Sequence, residues 1–308
     1  MSDLGPLIAD YLIVRRSLGF TLEKNERFLT QFHQYLQHNS LSVVTTQVMV
    51  DWAALPDASP AWHSARLNVL RVFARWAHVF DPTIDVPPVG LLPKHAQRRI
   101  AFVYSPDEIV ALMEVTSTMS SPLLAATYRT LIGLLAATGM RVGEVIHLDR
   151  SDLSDGVVTI RDTKFGKTRL VPLHPTTIQA LADYARLREN ALGDVATDAF
   201  FVSTAGTRLI YRNVHFFFHQ LIARAGILPR SSQCHPRPHD LRHTFAINTM
   251  LDAYRRGDNA AEVLPILSTY LGHASPASTY WYLQADPTLL AAAAQLRPAL
   301  GEVAPVLS

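Results

Sequence analysis

Arg141, Lys164, His239, Arg242, His273 and Tyr282 are spread through the second half of this 308-residue chain, and together they form a kit for phosphodiester transfer. That reaction builds negative charge on the non-bridging oxygens and on the leaving oxygen, and fixed cationic donors in a prearranged site stabilise it best. Arginine suits the task because its planar fork grips phosphate oxygens through two bonds and never loses its charge. A tyrosine oxygen can attack phosphorus and store the bond energy as a covalent ester. A lysine or histidine can protonate the departing 5′-oxygen, and a histidine can accept the tyrosine proton. None of these steps requires a metal.

Singly, each residue has a plainer explanation. An isolated arginine in a helical protein is ordinarily a surface charge. His273, directly after Gly272, suits the end of a helix. Tyr282, beside Trp281, suits core packing. What matters is whether the fold brings them together, and the sequence indicates the elements that would do so.

The first 90 residues read as all helix, with apolar positions at helical spacing in 7–18, 22–36 and 62–80. In the last of these, Val69, Phe73, Trp76 and Phe80 form an apolar stripe opposite Asn68, Arg71, Arg75 and His78. No acid lies between Ala61 and Phe80, so Arg71 and Arg75 are candidate phosphate contacts. Prolines at 82, 87, 88 and 93, followed by Arg98 and Arg99, predict an extended basic linker over 81–101, its two arginines also facing DNA. Beyond it, Ser105-Pro106-Asp107-Glu108 is a capping box, and Ser121-Pro122, Ser275-Pro276 and Asp286-Pro287 repeat the cap-then-proline pattern. Gly139, Gly226 and Gly257 fall where helices should stop. Val157–Ile160 and Arg169–Leu173 flank a Lys-Phe-Gly-Lys turn, which predicts a β-hairpin. The expected fold is mainly α with a small β-sheet.

Bulk properties set outer limits. An apolar share of 48% supports a real core. No apolar run reaches the ~18 residues of a membrane span, the N-terminus lacks a secretory pattern, and the lone Cys234 suits a reducing cytoplasm. The net charge of +2 says little about nucleic acid, but its distribution says more. Between Ser203 and His243 lie six arginines, five histidines and one acid, Asp240. That stretch predicts a basic surface for a phosphate backbone, with Arg208 and Arg212 as contacts.

Five strings carry a family resemblance: Thr138-Gly-Met-Arg-Val-Gly-Glu144, Lys164-Phe-Gly-Lys-Thr-Arg-Leu-Val-Pro-Leu173, His239-Asp-Leu-Arg-His243, Leu271-Gly-His273, and Tyr282 nine residues after His273. In this order they resemble the tyrosine recombinases of the phage integrase family, over about 103–290. The resemblance implies an N-terminal helical core-binding (SAM-like) domain over 1–90 and a recombinase catalytic domain over 102–308, together forming a clamp on duplex DNA. It implies that Arg141 and Arg242 hold the scissile phosphate, that Lys164 is the general acid, and that His239 does acid/base work. It also implies that His273 hydrogen-bonds the phosphate, Glu144 supports the site, and Tyr282 forms a 3′-phosphotyrosine bond. Cofactors would be none, neither metal nor ATP. The working form would be a homo-tetramer on double-stranded DNA or a hetero-assembly with related recombinases. The helix expected at 287–297, with Leu289, Leu290 and Leu296, would either dock on a neighbouring subunit or pack at home.

Two choices stay open on the residues alone. Tyr280 and Tyr282 would point roughly 200° apart on a helix, so only one can face a phosphate. Lys164 and Lys167 flank one turn and share a side. The resemblance favours Tyr282 and Lys164, leaving Lys167 as a backbone contact. One departure stands out: 31 residues separate Arg242 from His273, about two helical turns more than the family spacing, with the extra length expected in 252–263. That insert and the Tyr-Trp-Tyr string resemble recombinases of transposable elements. Two rivals complete the expectation. One is a DNA-binding regulator that keeps the fold without the reaction. The other is a zinc hydrolase built on His239 and His243, which the adjacent Arg242 disfavours by repelling a cation.

Overall fold

The structure is a computed structural model and describes residues 4–93, 100–163, 167–193 and 197–272. It divides into two compact units, Met1–Arg98 and Arg99–Ser308.

The first unit is four helices: α1 (Leu4–Ser17), α2 (Glu23–His38), α3 (Thr46–Ala54) and α4 (Pro60–Ala77). Local chemistry starts the last two. Thr45 accepts the amide of Val48, and Ser59 accepts that of Trp62 with Pro60 in the first turn. Aromatic side chains cluster within a largely aliphatic core, where Phe28, Phe32, Trp52 and Phe73 are buried and meet edge to face in part. Residues 81–93 are irregular, as their prolines predict, but they pack onto this unit and do not hang free. Ile84 is in the core, the Asp85 carboxylate accepts the amide of Thr46, and Arg71 donates to the carbonyls of Pro87 and Pro88 at 2.9 Å each. Arg71 is therefore interior, its guanidinium spent on proline carbonyls that have no ladder partner, and it does not face a phosphate. Asn68, next to it in the expected polar stripe, takes a third of its hydrogen bonds. Arg75 stays exposed.

The second unit holds α5 (Pro106–Glu114), α6 (Pro122–Thr138), α7 (Val142–His147), β1 (Leu153–Ser154), β2 (Val157–Thr163), β3 (Lys167–Pro172), α8 (Pro175–Leu192), α9 (Tyr211–Arg224), α10 (Asp240–Arg256) and α11 (Ala260–Leu271). The capping box at Ser105 and Glu108 forms as expected, and Ser121 caps α6. The strands make one antiparallel sheet in the order β1-β2-β3, with Val158 opposite Val171 and Ile160 opposite Arg169. Helix α6 runs through the middle of the core: Leu131, Ile132, Leu134 and Leu135 are all buried, each contributing about 1.5–3 kcal/mol of apolar burial. The expected insert is regular. Helix α10 continues to Gly257, Asn259 caps α11, and Ile247 and Met250 pack against Leu264, Leu267 and Leu271. Among the described residues no helix is long and apolar enough to cross a membrane.

Candidate active site

Helix α6 ends at Gly139, whose φ of 61° is left-handed and whose missing Cβ would lie 2.5 Å from the Phe245 ring. The chain turns there, buries Met140 and extends at Arg141 before α7 begins. Glu144, three residues on, reaches back to the Arg141 amide at 2.8 Å and to its Nη1 at 2.7 Å. The Thr-Gly-Met-Arg-Val-Gly-Glu string is thus a single device: a glycine stop, an arginine at the turn and an acid that fixes it.

Arg242 comes from the first turn of α10 and is 1% exposed. Its Nη1 donates to the Gly139 carbonyl at 2.8 Å and its Nη2 to the Leu271 carbonyl at 2.6 Å. Both acceptors end helices, α6 and α11, where carbonyl dipoles favour a cation. Arg141 donates from Nη2 to the next carbonyl along, Gly272, at 3.1 Å. Two arginines 101 positions apart in sequence therefore converge on consecutive peptide carbonyls, just ahead of position 273. Gly272 is left-handed as well, and a Cβ there would come within 2.9 Å of the Arg169 guanidinium.

Arg169 is the member of this cluster that sequence reasoning missed. It sits on β3 and grips Glu144 with both terminal nitrogens, at 2.9 and 2.7 Å. Its signal was period-2 alternation: Leu170 faces out and Val171 is buried, so Arg169 also points inward and needs an acid. Burial alone would raise the pKa of Glu144, but hydrogen bonds from Arg169 and Arg141 outweigh it and hold the carboxylate at about 2.

His239 immediately precedes α10. Desolvation by the surrounding protein, then repulsion by Arg242, Arg141 and Arg237, lowers its pKa to about 4. Its side chain keeps an open face to solvent, so repulsion by the arginines is the firmer part of that shift. The ring is neutral at pH 7 and can accept a proton. Asp240 is fully buried and fixes the start of α10 by taking two hydrogen bonds from Arg237 while lying 3.8 Å from the His243 ring. The His239 and His243 rings stand perpendicular, centroids 5.0 Å apart, but no group of three metal-ligating side chains exists among the described residues.

Most arginines of the expected basic surface over 203–243 bond to other groups of the protein, although Arg212, Arg224 and Arg230 remain exposed. Arg208 donates to the carbonyls of Ile146 and Leu148 and pairs with Asp149, so it braces the protein with about a third of its side chain exposed. Arg224 bonds Thr118, Arg230 pairs with Glu108 and lies over Phe102, and Arg237 holds Asp240. Arg212 is exposed on α9. Lys167 opens β3 opposite Thr163. Lys164, His273, Tyr282, Arg98, Arg99, the caps at Ser275 and Asp286, and the helix expected at 287–297 lie outside the described residues.

Comparison with known proteins identifies the family. The profile of the Phage integrase family matches residues 103–288. A protein of Sinorhizobium fredii (strain NBRC 101917 / NGR234) named as integrase/recombinase y4rB is 38% identical, across 94% of this chain and 95% of its own. Tyrosine recombinase XerC of Bacillus pumilus (strain SAFR-032) is 34% identical, across 71% of this chain and 68% of its own. The fold is similar to that of a lambda integrase tetramer bound to a Holliday junction, with a TM-score of 0.61, 18% identity, and coverage of 91% of this chain and 76% of that one.

Proposed function

The chain belongs to the phage integrase family and is a tyrosine-type site-specific recombinase, and from that premise we propose how its own residues carry the reaction. Arg141 and Arg242 receive the scissile phosphate, and the Tyr282 oxygen attacks phosphorus. A P–O bond to tyrosine forms as the bond to the 5′-oxygen breaks, and Lys164 supplies the proton that leaves with the 5′-hydroxyl. His239, neutral at pH 7, takes the tyrosine proton, and His273 donates to a phosphate oxygen. A 5′-hydroxyl from another strand reverses the exchange, so bond energy is conserved and neither ATP nor metal is consumed.

The observation that carries this reading is the convergence of Arg141 and Arg242 on the carbonyls of Gly272 and Leu271, with Glu144 and Arg169 fixing one of them from behind. A phosphate needs several donors near one point, and the gathering of these two guanidiniums supports that reading. Double-stranded DNA is the substrate, with Arg75, Arg98, Arg99, Lys167 and Arg212 as backbone contacts. Recombination handles two duplexes, and the similar lambda integrase forms a tetramer on a Holliday junction. A tetramer, of this chain or with related recombinases, is therefore the working form, with the 287–297 segment as a candidate subunit bridge.

The test is a nicked DNA site that traps cleavage. Wild-type protein should form a covalent adduct, whereas Tyr282→Phe should bind equally and form none. Adduct at wild-type level in that variant would remove Tyr282 from the role. Binding without adduct by the wild type would make the chain a regulator.

A further inference from the structure

Helix α9 carries a second pair of histidines that the recombination chemistry does not use. His215 and His219 are one turn apart, at the spacing that puts side chains on one face. Both are exposed. Their rings are tilted by 55° with centroids 4.3 Å apart, and their Nε2 atoms approach to 3.2 Å. With both rings neutral, a shared proton satisfies that contact: one Nε2–H donates to the other ring's lone pair.

The same separation suits a metal ion. Two metal–imidazole bonds of about 2.0–2.1 Å at a tetrahedral angle place their nitrogens roughly 3.3 Å apart. We propose that His215 and His219 hold one divalent transition ion of the zinc, nickel and copper class through their Nε2 atoms, water completing the shell. Neutral imidazole is the ligand form. The sequence of α9, Tyr-Arg-Asn-Val-His-Phe-Phe-Phe-His-Gln-Leu-Ile-Ala-Arg, contains no carboxylate. Two nitrogens and no acid select against magnesium and calcium, which prefer oxygen. Arg212, one turn before His215, opposes the incoming charge, so the site is a weak one that fills with ion supply. Filled, it clips two turns of α9 and adds positive charge to the face that bears Arg212.

The experiment is isothermal titration of the tag-free full-length protein, stripped with chelator, with nickel chloride alone. Wild type should bind one ion more per chain than His215→Ala or His219→Ala, or bind it roughly a hundredfold more tightly, because a two-point grip becomes a one-point grip. The double variant should bind no more tightly than either single one, and magnesium should not compete. Circular dichroism without metal checks that α9 is intact. As a second readout, the electron paramagnetic spectrum of bound copper, wild type minus His215→Ala, should report two coupled nitrogens. Identical nickel binding in wild type and both variants, no binding in the wild type, or a copper difference spectrum with fewer than two nitrogens overturns the proposal.

Discussion

The Glu144 carboxylate and the Arg169 guanidinium meet through two parallel hydrogen bonds, 2.9 and 2.7 Å, each side chain about one-tenth exposed. Glu144 is at the same time the partner of Arg141, so the sheet reaches the α7 arginine through one acid. This pair is a positioning device, and removing Arg169 leaves the nearly dry Glu144 to Arg141, whose side chain is about a third exposed.

Arg169→Met should therefore lower unfolding stability by about 2 kcal/mol in urea denaturation, the scale of hydrogen bonds to a charged group. Glu144→Gln should keep DNA binding but lower the cleavage rate roughly a hundredfold, because Arg141 loses its aim. An Arg169→Met protein with unchanged denaturation midpoint would show that the pair is ornamental.

Gly139→Ala should fail for two separable reasons. The left-handed backbone costs an alanine about 1–2 kcal/mol, and its Cβ would clash with Phe245. Adding Phe245→Leu should restore part of the lost melting temperature but not all. Full restoration would mean that the backbone conformation carries no cost.

The pH dependence follows from two depressed pKa values. Folding lowers the His239 pKa below its ordinary 6.5, so its share of stability is present above 6.5 and is lost as pH falls below it. Glu144 is depressed from 4.5 to about 2, so its share is present above 4.5 and lost as pH falls toward 2. Denaturation midpoints should decline in two stages on acidification, and His239→Gln should flatten only the upper one. Binding of a phosphate beside His239 offsets the arginine repulsion, so its proton NMR titration should move upward when DNA is added.

Arginines that share a charge should behave differently by where they are spent. Arg212→Ala should leave the melting temperature alone and reduce the slope of log affinity against log salt by about 0.9, the value for one phosphate. Arg71→Ala and Arg208→Ala should instead lower stability, because each strands carbonyl or carboxylate acceptors. Equal salt slopes in all three variants, with no loss of stability, would contradict this division.

Much of the scaffold was legible because its signals are local. Ser105, Ser121 and Gly139 announce helix boundaries within a turn of themselves, and Val157–Ile160 with Arg169–Leu173 announces a hairpin across a few residues. The gathering of Arg141 and Arg242 was legible from ordered motifs. What could not be read was how each arginine is spent. Arg71 finds Pro87, Arg208 finds Asp149 and Arg169 finds Glu144 only after folding, over separations of 16, 59 and 25 residues. A helical wheel registers charge on a face, but a long flexible side chain turns toward whichever oxygen lacks a donor.

The peptide oxygens of Leu271 and Gly272 moor both guanidiniums before any substrate arrives. The freedom of those two long side chains is surrendered during folding, so any ligand they meet finds them already ordered and costs little further side-chain entropy.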